Sequence, residues 1–164
     1  ATGGSNYMHF GVVSEQGTDA DGGTNEKLTY KQYNYGIQAS NGKFTSNNQA
    51  GSTYGATWGD DNDIMSIALD LDNNFIYVGN GSSWFNSGNP ESGASGTGAS
   101  KSVVAGLTYF PMMITLSNSM EINFGSPPYS ESGGNSDGNG YGNFNQAVPS
   151  GYFSLNSKNL AEYG

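Results

Sequence analysis

Asp70-Leu71-Asp72 is the pattern in this chain closest to a reaction centre. Glycoside hydrolysis needs two carboxylates facing one cleft. In an extended strand, residues two apart point the same way, so this spacing would aim both acids at one face. The pair runs straight into Asn73-Asn74, however, and Asp at a strand end usually binds the backbone of the following turn. The Glu-x-Asp-x-Glu pattern of β-fold glycosidases is absent. The structural reading is therefore preferred, and no catalytic residue is assigned.

Two further acidic groups could supply hard oxygen ligands for calcium, Asp19/Asp21 and Asp60/Asp61/Asp63. The first starts like an EF-hand loop but lacks its later Gly and closing Glu. Gly133-Gly134-Asn135-Ser136-Asp137 resembles half of a calcium-binding nonapeptide repeat without the repetition. Solvated turn residues are the expectation for all three, with no metal and no cofactor. His9 is the single histidine and has no cysteine, second histidine or nucleophile motif to work with, so it reads as structural. Neither a G-x-S-x-G elbow nor a Walker loop occurs. Asn80-Gly81-Ser82 fits a glycosylation sequon but reads first as a turn. The aromatics carry more weight. Trp58, Trp84, Phe85, Tyr141 and Phe144 lie in or beside Gly/Ser/Asn-rich loops. Rigid rings among small polar groups suit sugar or protein binding, so these five are the candidate ligand-binding residues. The competing reading has them folded over sheet edges. Trp84, close to a hairpin end, admits both.

The elements that must position these groups are strands. Met65, Ile67, Leu69 and Leu71 alternate with Ile64, Ser66, Ala68 and Asp70, a period of two. Asp72-Asn73-Asn74 forms a turn, and a second strand follows over Phe75 to Val78. Asn80-Gly81 then signals a tight hairpin in which both residues take positive φ. Elsewhere, strands are expected over Tyr7–Val13, within Leu28–Ala39 and ending at Ile37–Ala39, and over Lys43–Thr45, Tyr109–Leu116 and Met120–Phe124, with a hairpin turn at Asn41-Gly42. Asn47–Ser52, Asn86–Ser102 and Ser130–Gln146 read as loops. Tyr152, Phe153 and Leu155 suggest a last edge strand or packed tail. No segment holds a 3.6 period over three turns, so helix should be minimal.

These pieces resemble a known family. Gly59-Asp60, Ala68-Leu69-Asp70-Leu71-Asp72-Asn73, Asn80-Gly81, Tyr109-Phe110-Pro111, Ile122-Asn123-Phe124-Gly125 and Pro149-Ser150-Gly151-Tyr152-Phe153-Ser154-Leu155-Asn156 occur in order. Phe10-Gly11-Val12-Val13 matches an earlier strand. Together they resemble a SPRY (B30.2-like) domain of the type found in phage and viral structural proteins. The resemblance implies an all-β fold, an antiparallel β-sandwich of the concanavalin-A-like jelly-roll kind, here with long Gly/Ser/Asn-rich loops. It implies that the Asp70/Asp72 pair catalyses nothing and that ligands meet loops at one edge. The family's opening strands have no counterpart. Residues 1–164 therefore read as one domain, expected to be a segment of a longer or processed polypeptide, with eleven to thirteen strands in the whole fold.

Composition narrows the function classes. Apolar residues are 34% and glycines number 26 of 164, which suits short strands and long loops better than helices. Aromatics at 13% argue against a disordered polar chain. The net charge is −9, with five scattered lysines and no arginine, so neither nucleic acid nor an anionic membrane surface is expected as partner. There is no cysteine, and no apolar run long enough to insert in a membrane. The expected function is a non-catalytic binding or structural module of a virion appendage, a tail fibre or spike. The expected location is the virion or extracellular space. Expected partners are other virion subunits, with a homo-oligomer anticipated, and a host-surface glycan or protein. Asn86–Ser102 and Ser130–Gln146 would make the contacts. A purely architectural decoration domain, a glycan hydrolase and a cellular SPRY adaptor are the competing readings, the last disfavoured by the absence of arginine.

Overall fold

The computed structural model describes residues 8–17, 33–46, 49–115 and 119–164. Asp19, Asp21 and residues 28–32 of the expected Leu28–Ala39 stretch lie outside them. Among the described residues, nine strands form two antiparallel sheets. The first contains β1 (His9–Ser14), β2 (Tyr35–Gln38), β3 (Lys43–Ser46), β4 (Gln49–Thr53) and β9 (Tyr109–Ile114), in the order β4-β3-β2-β1-β9. The second contains β5 (Met65–Asp70), β6 (Phe75–Asn80), β7 (Ser83–Trp84) and β8 (Lys101–Ser102), with β6 paired to all three others. The one α-helix among the described residues is α1 (Ser157–Tyr163).

The β5–β6 pair forms where the alternation predicts it, in register from Met65↔Asn80 to Asp70↔Phe75. Its loop is closed by Asp70, whose two carboxylate oxygens accept from the Asn73 backbone N–H and side-chain amide, both at 2.9 Å. Asn74 takes the left-handed φ of 63° that the turn requires. The β6–β7 turn differs in detail from expectation. Asn80 pairs with Ser83, so Gly81 and Ser82 are the central residues, and only Gly81 has positive φ, at 57°. That is the II′ pattern, which needs glycine at its first central position alone. Between β2 and β3, Gly42 combines φ of 60° with an approach so close that an added Cβ would lie 2.0 Å from the Gly55 carbonyl oxygen.

One apolar cluster draws on both sheets. Tyr35, Ile37 and Phe44 come from the first and Ile76 and Val78 from the second, all at or below 1% exposure. Phe44, Tyr54 and Phe85 continue it as edge-to-face rings, with centroids 5.7 and 6.1 Å apart. The Tyr54 hydroxyl reaches the Phe85 and Gly98 carbonyls, pinning the low-complexity loop to the core.

Four expectations change. Residues 49–52 are not loop but most of strand β4, which pairs with β3 across a bulge between Phe44 and Ser46. Ladder hydrogen bonds hold it without an apolar pattern. Met120–Phe124 forms no ladder. Its Asn123 side chain instead donates to the Asn143 carbonyl at 2.7 Å and accepts from the Gly125 N–H. The 152–155 segment is not a strand, and Phe153 and Leu155 stand 58% and 62% exposed. Asn86–Ser102 is partly ordered, with 3₁₀ turns at Phe85–Ser87 and Pro90–Ser95 before β8. The short helix α1 is capped by Asn156, whose side chain accepts from the Asn159 N–H at 2.8 Å.

Candidate functional site

The strands of both sheets border an open groove of about 2030 Å³. From β1, Phe10, Gly11 and Val12 reach it, with Met8 just before the strand. The register Phe10↔Met113 and Val12↔Pro111 adds β9 to the same face. Across the groove lie Met65, Ile67 and Leu69 of β5, which also pack against the core cluster. β9 sends one face toward the groove through Tyr109, Pro111 and Met113, as period-two geometry requires, whereas β5 borders it along its whole length. His9, on the opposite face of β1, is buried and not part of the lining.

The structure separates the five candidate aromatics. Trp58, Trp84 and Phe144 line the groove. Trp58 is only 5% exposed, and its indole N–H has no hydrogen-bond partner among the described residues. Trp84 is half-buried on β7, beside Gly79. Phe144 is half-buried, held by reciprocal backbone bonds with Asn135 at 2.8 and 3.1 Å. Phe85 is away from the groove, edge-on to Tyr54. Tyr141 also lies elsewhere; its hydroxyl donates to Glu162 at 2.7 Å and the Lys158 ammonium sits 4.8 Å from its ring centre. Of the two expected contact loops, Pro90, Glu91, Gly93, Glu131 and Phe144–Gln146 reach the groove.

The acidic groups have local work. Asp70 closes the β5–β6 turn, as above. Asp63 accepts from the Gly59 and Asp60 N–H groups at 2.8 and 3.0 Å and from the Asn80 amide at 3.0 Å. Partial burial would raise its pKa, but these three donors hold it below the ordinary carboxylate range. Among the described residues, no three His, Cys, Asp or Glu side chains converge as a metal site would need.

Asp137, expected from the sequence to be a solvated turn residue, is instead a buried carboxylate. It is 6% exposed. One oxygen accepts from the Asn139 and Tyr141 N–H groups, each at 3.0 Å. The other accepts from the Ser154 N–H at 2.9 Å, the Ser154 hydroxyl, and the Asn159 side chain at 2.7 Å. Burial would raise its pKa; the Ser154, Tyr141 and Asn159 donors outweigh that and hold it well below the usual value. Asp137 therefore anchors the 135–145 loop to the start of α1. This shapes the groove wall, since Phe144, Tyr152 and Ser154 belong to the segments it ties together.

The exposed rim is acidic. Asp60, Asp61, Asp72, Glu91 and Glu121 border the groove, and no lysine among the described residues does. The arrangement can bind an apolar surface that carries positive charge. Among the described residues, no helix is long and apolar enough to cross a membrane. In comparison with known proteins, no family model matches the chain, and no curated protein matches it.

Proposed function

We propose that this chain is a non-catalytic binding and structural module of a virion surface appendage, built as a SPRY-type, concanavalin-A-like β-sandwich. The ordered motifs from Phe10 to Asn156 support the family. The apolar cluster shared by the two sheets supports a sandwich of facing layers. The observation that carries the non-catalytic reading is the engagement of Asp70 by the Asn73 turn, beside an apolar groove walled by Trp58, Trp84 and Phe144. A carboxylate fixed on turn donors and followed by a chain reversal is placed for structure rather than proton transfer. Partners are other virion subunits or a host-surface glycan or protein.

The test is a paired assay on the purified domain. Binding to host cells, glycan arrays or isolated virion subunits, without turnover of surface polysaccharide, is the expected result. Glycan cleavage that is lost in Asp70→Asn or Asp72→Asn, with the fold intact, would overturn it in favour of a hydrolase. Assembly with virion subunits but no host binding would narrow the role to architecture.

A further inference from the structure

We infer that β5 is a docking edge for a strand from another polypeptide, one with apolar residues on one face and lysine or arginine on the other. This rests on the reading of the domain as a binding module and names the partner's chemistry.

The first observation is the state of the edge. The Gly81 N–H donates to the Ile64 carbonyl at 2.9 Å, which marks Ile64↔Gly81 as a hydrogen-bonded pair. Such pairs alternate along an antiparallel ladder. With the register Met65↔Asn80 to Asp70↔Phe75, Ser66, Ala68 and Asp70 bond to β6, while Met65, Ile67 and Leu69 aim their N–H and C=O groups away from it. No strand among the described residues pairs with that side of β5. A row of free donors and acceptors is a template for strand addition.

The second observation is the contrast with β9, the edge of the other sheet that faces the same groove. There the Glu15 N–H donates to the Thr108 carbonyl at 2.9 Å, so Tyr109, Pro111 and Met113 are the outward residues. Pro111 has no N–H to offer, and its position leaves the ladder to β1 intact. That is how native sheets blunt an edge. β5, Met-Ser-Ile-Ala-Leu-Asp, has no proline, lysine or bulge to do so.

The third is the space and charge beside it. The groove, about 2030 Å³, exceeds the ~300–1,000 Å³ of small-molecule sites and is of polypeptide scale. Met65, Ile67 and Leu69 present an apolar floor that an added strand would extend. The rim is acidic, with no lysine among the described residues, which attracts cationic residues and repels a second copy of a chain carrying −9.

The experiment titrates a fluorescent peptide of about eight alternating valines and lysines, matched to the six residues of β5, into the purified domain. Two controls are the same peptide N-methylated at alternate residues and the same peptide with glutamate for lysine. Binding is expected for the first, with each control weaker by at least about tenfold, and salt at about 0.5 M should weaken it further. Ile67→Pro, which removes one outward N–H without touching the β6 ladder, should weaken binding similarly. If that variant does not fold, the N-methylated peptide makes the same comparison on the native domain. Equal binding of the N-methylated peptide overturns strand addition. Equal binding of the glutamate peptide overturns the charge assignment. No binding by any peptide overturns the inference, as does protection of β5 amides that grows with protein concentration, which would assign the edge to a second copy. Host-surface or subunit binding retained in a domain that ignores all peptides would sink this inference alone. Loss of both would sink the binding-module reading with it.

Discussion

Replacing Asp137 with asparagine should release the C-terminal third of the domain while leaving the paired sheets in place. The carboxylate accepts five hydrogen bonds, two on one oxygen and three on the other. An asparagine amide keeps a single acceptor oxygen. Whichever way it turns, its NH₂ meets at least two donors that lose their acceptor. Hydrogen bonds to a charged group contribute about 1.5–3 kcal/mol each. Two lost at the low end amount to about 3 kcal/mol, or roughly a hundredfold in a local opening equilibrium. The assay is amide hydrogen exchange. Asn139, Tyr141, Ser154 and Asn159 should exchange roughly a hundredfold faster in Asp137→Asn, while Ile76 and Val78 should be unaffected. The pH dependence follows from the depressed pKa. A carboxyl whose folded pKa lies below its unfolded value of about 3.9 contributes fully above that value. The contribution is lost as pH falls through the folded pKa. The native domain should therefore lose protection in this segment as pH drops below about 4, and the variant should show a shallower loss. Unchanged exchange at all four amides would refute the assignment of Asp137 as anchor.

Other outcomes can be checked by urea denaturation. Phe44→Ala, which empties a position at 1% exposure among Tyr54 and its neighbours, should cost about 3–5 kcal/mol. Gly42→Ala combines a positive φ with a backbone clash and should destabilise by more than about 1 kcal/mol. Trp58→Phe removes an indole N–H that has no hydrogen-bond partner among the described residues. Its loss of packing should be partly offset, leaving a net cost smaller than that of Phe44→Ala. Asp70→Asn should lower stability by about 1 kcal/mol, since the turn retains one acceptor, and should not abolish binding to a virion or host partner.

The parts of the fold legible in the sequence are those whose information is local. Met65 to Asn80 carries its own alternation and its own turn formers, and it forms the expected pair. Asn41-Gly42 reverses the chain because only that pairing of residue and φ fits so close to Gly55. β4 is hidden because Gln49–Thr53 is an edge strand held by backbone bonds, which leave no trace in side-chain pattern. Met120–Phe124 misleads in the opposite direction. Its alternation is real, but Asn123 and its loop partners take the place of a ladder. α1 spans seven residues, too few to establish a period, and only its Asn156 cap is a local signal. For the site, Trp58 looks like a loop aromatic and lies buried in the groove wall. Asp137 gathers donors from as far as 22 residues away, a distance no window of sequence resolves. The groove itself depends on how strands of both sheets come to border one space, which composition does not encode.

The docking edge is the open side of β5, and its backbone amides report it directly. Exchange measured residue by residue in the free, dilute domain should alternate: slow at Ser66, Ala68 and Asp70, and fast at Met65, Ile67 and Leu69. Uniformly slow exchange across all six would mean that the edge is already covered and would contradict the account.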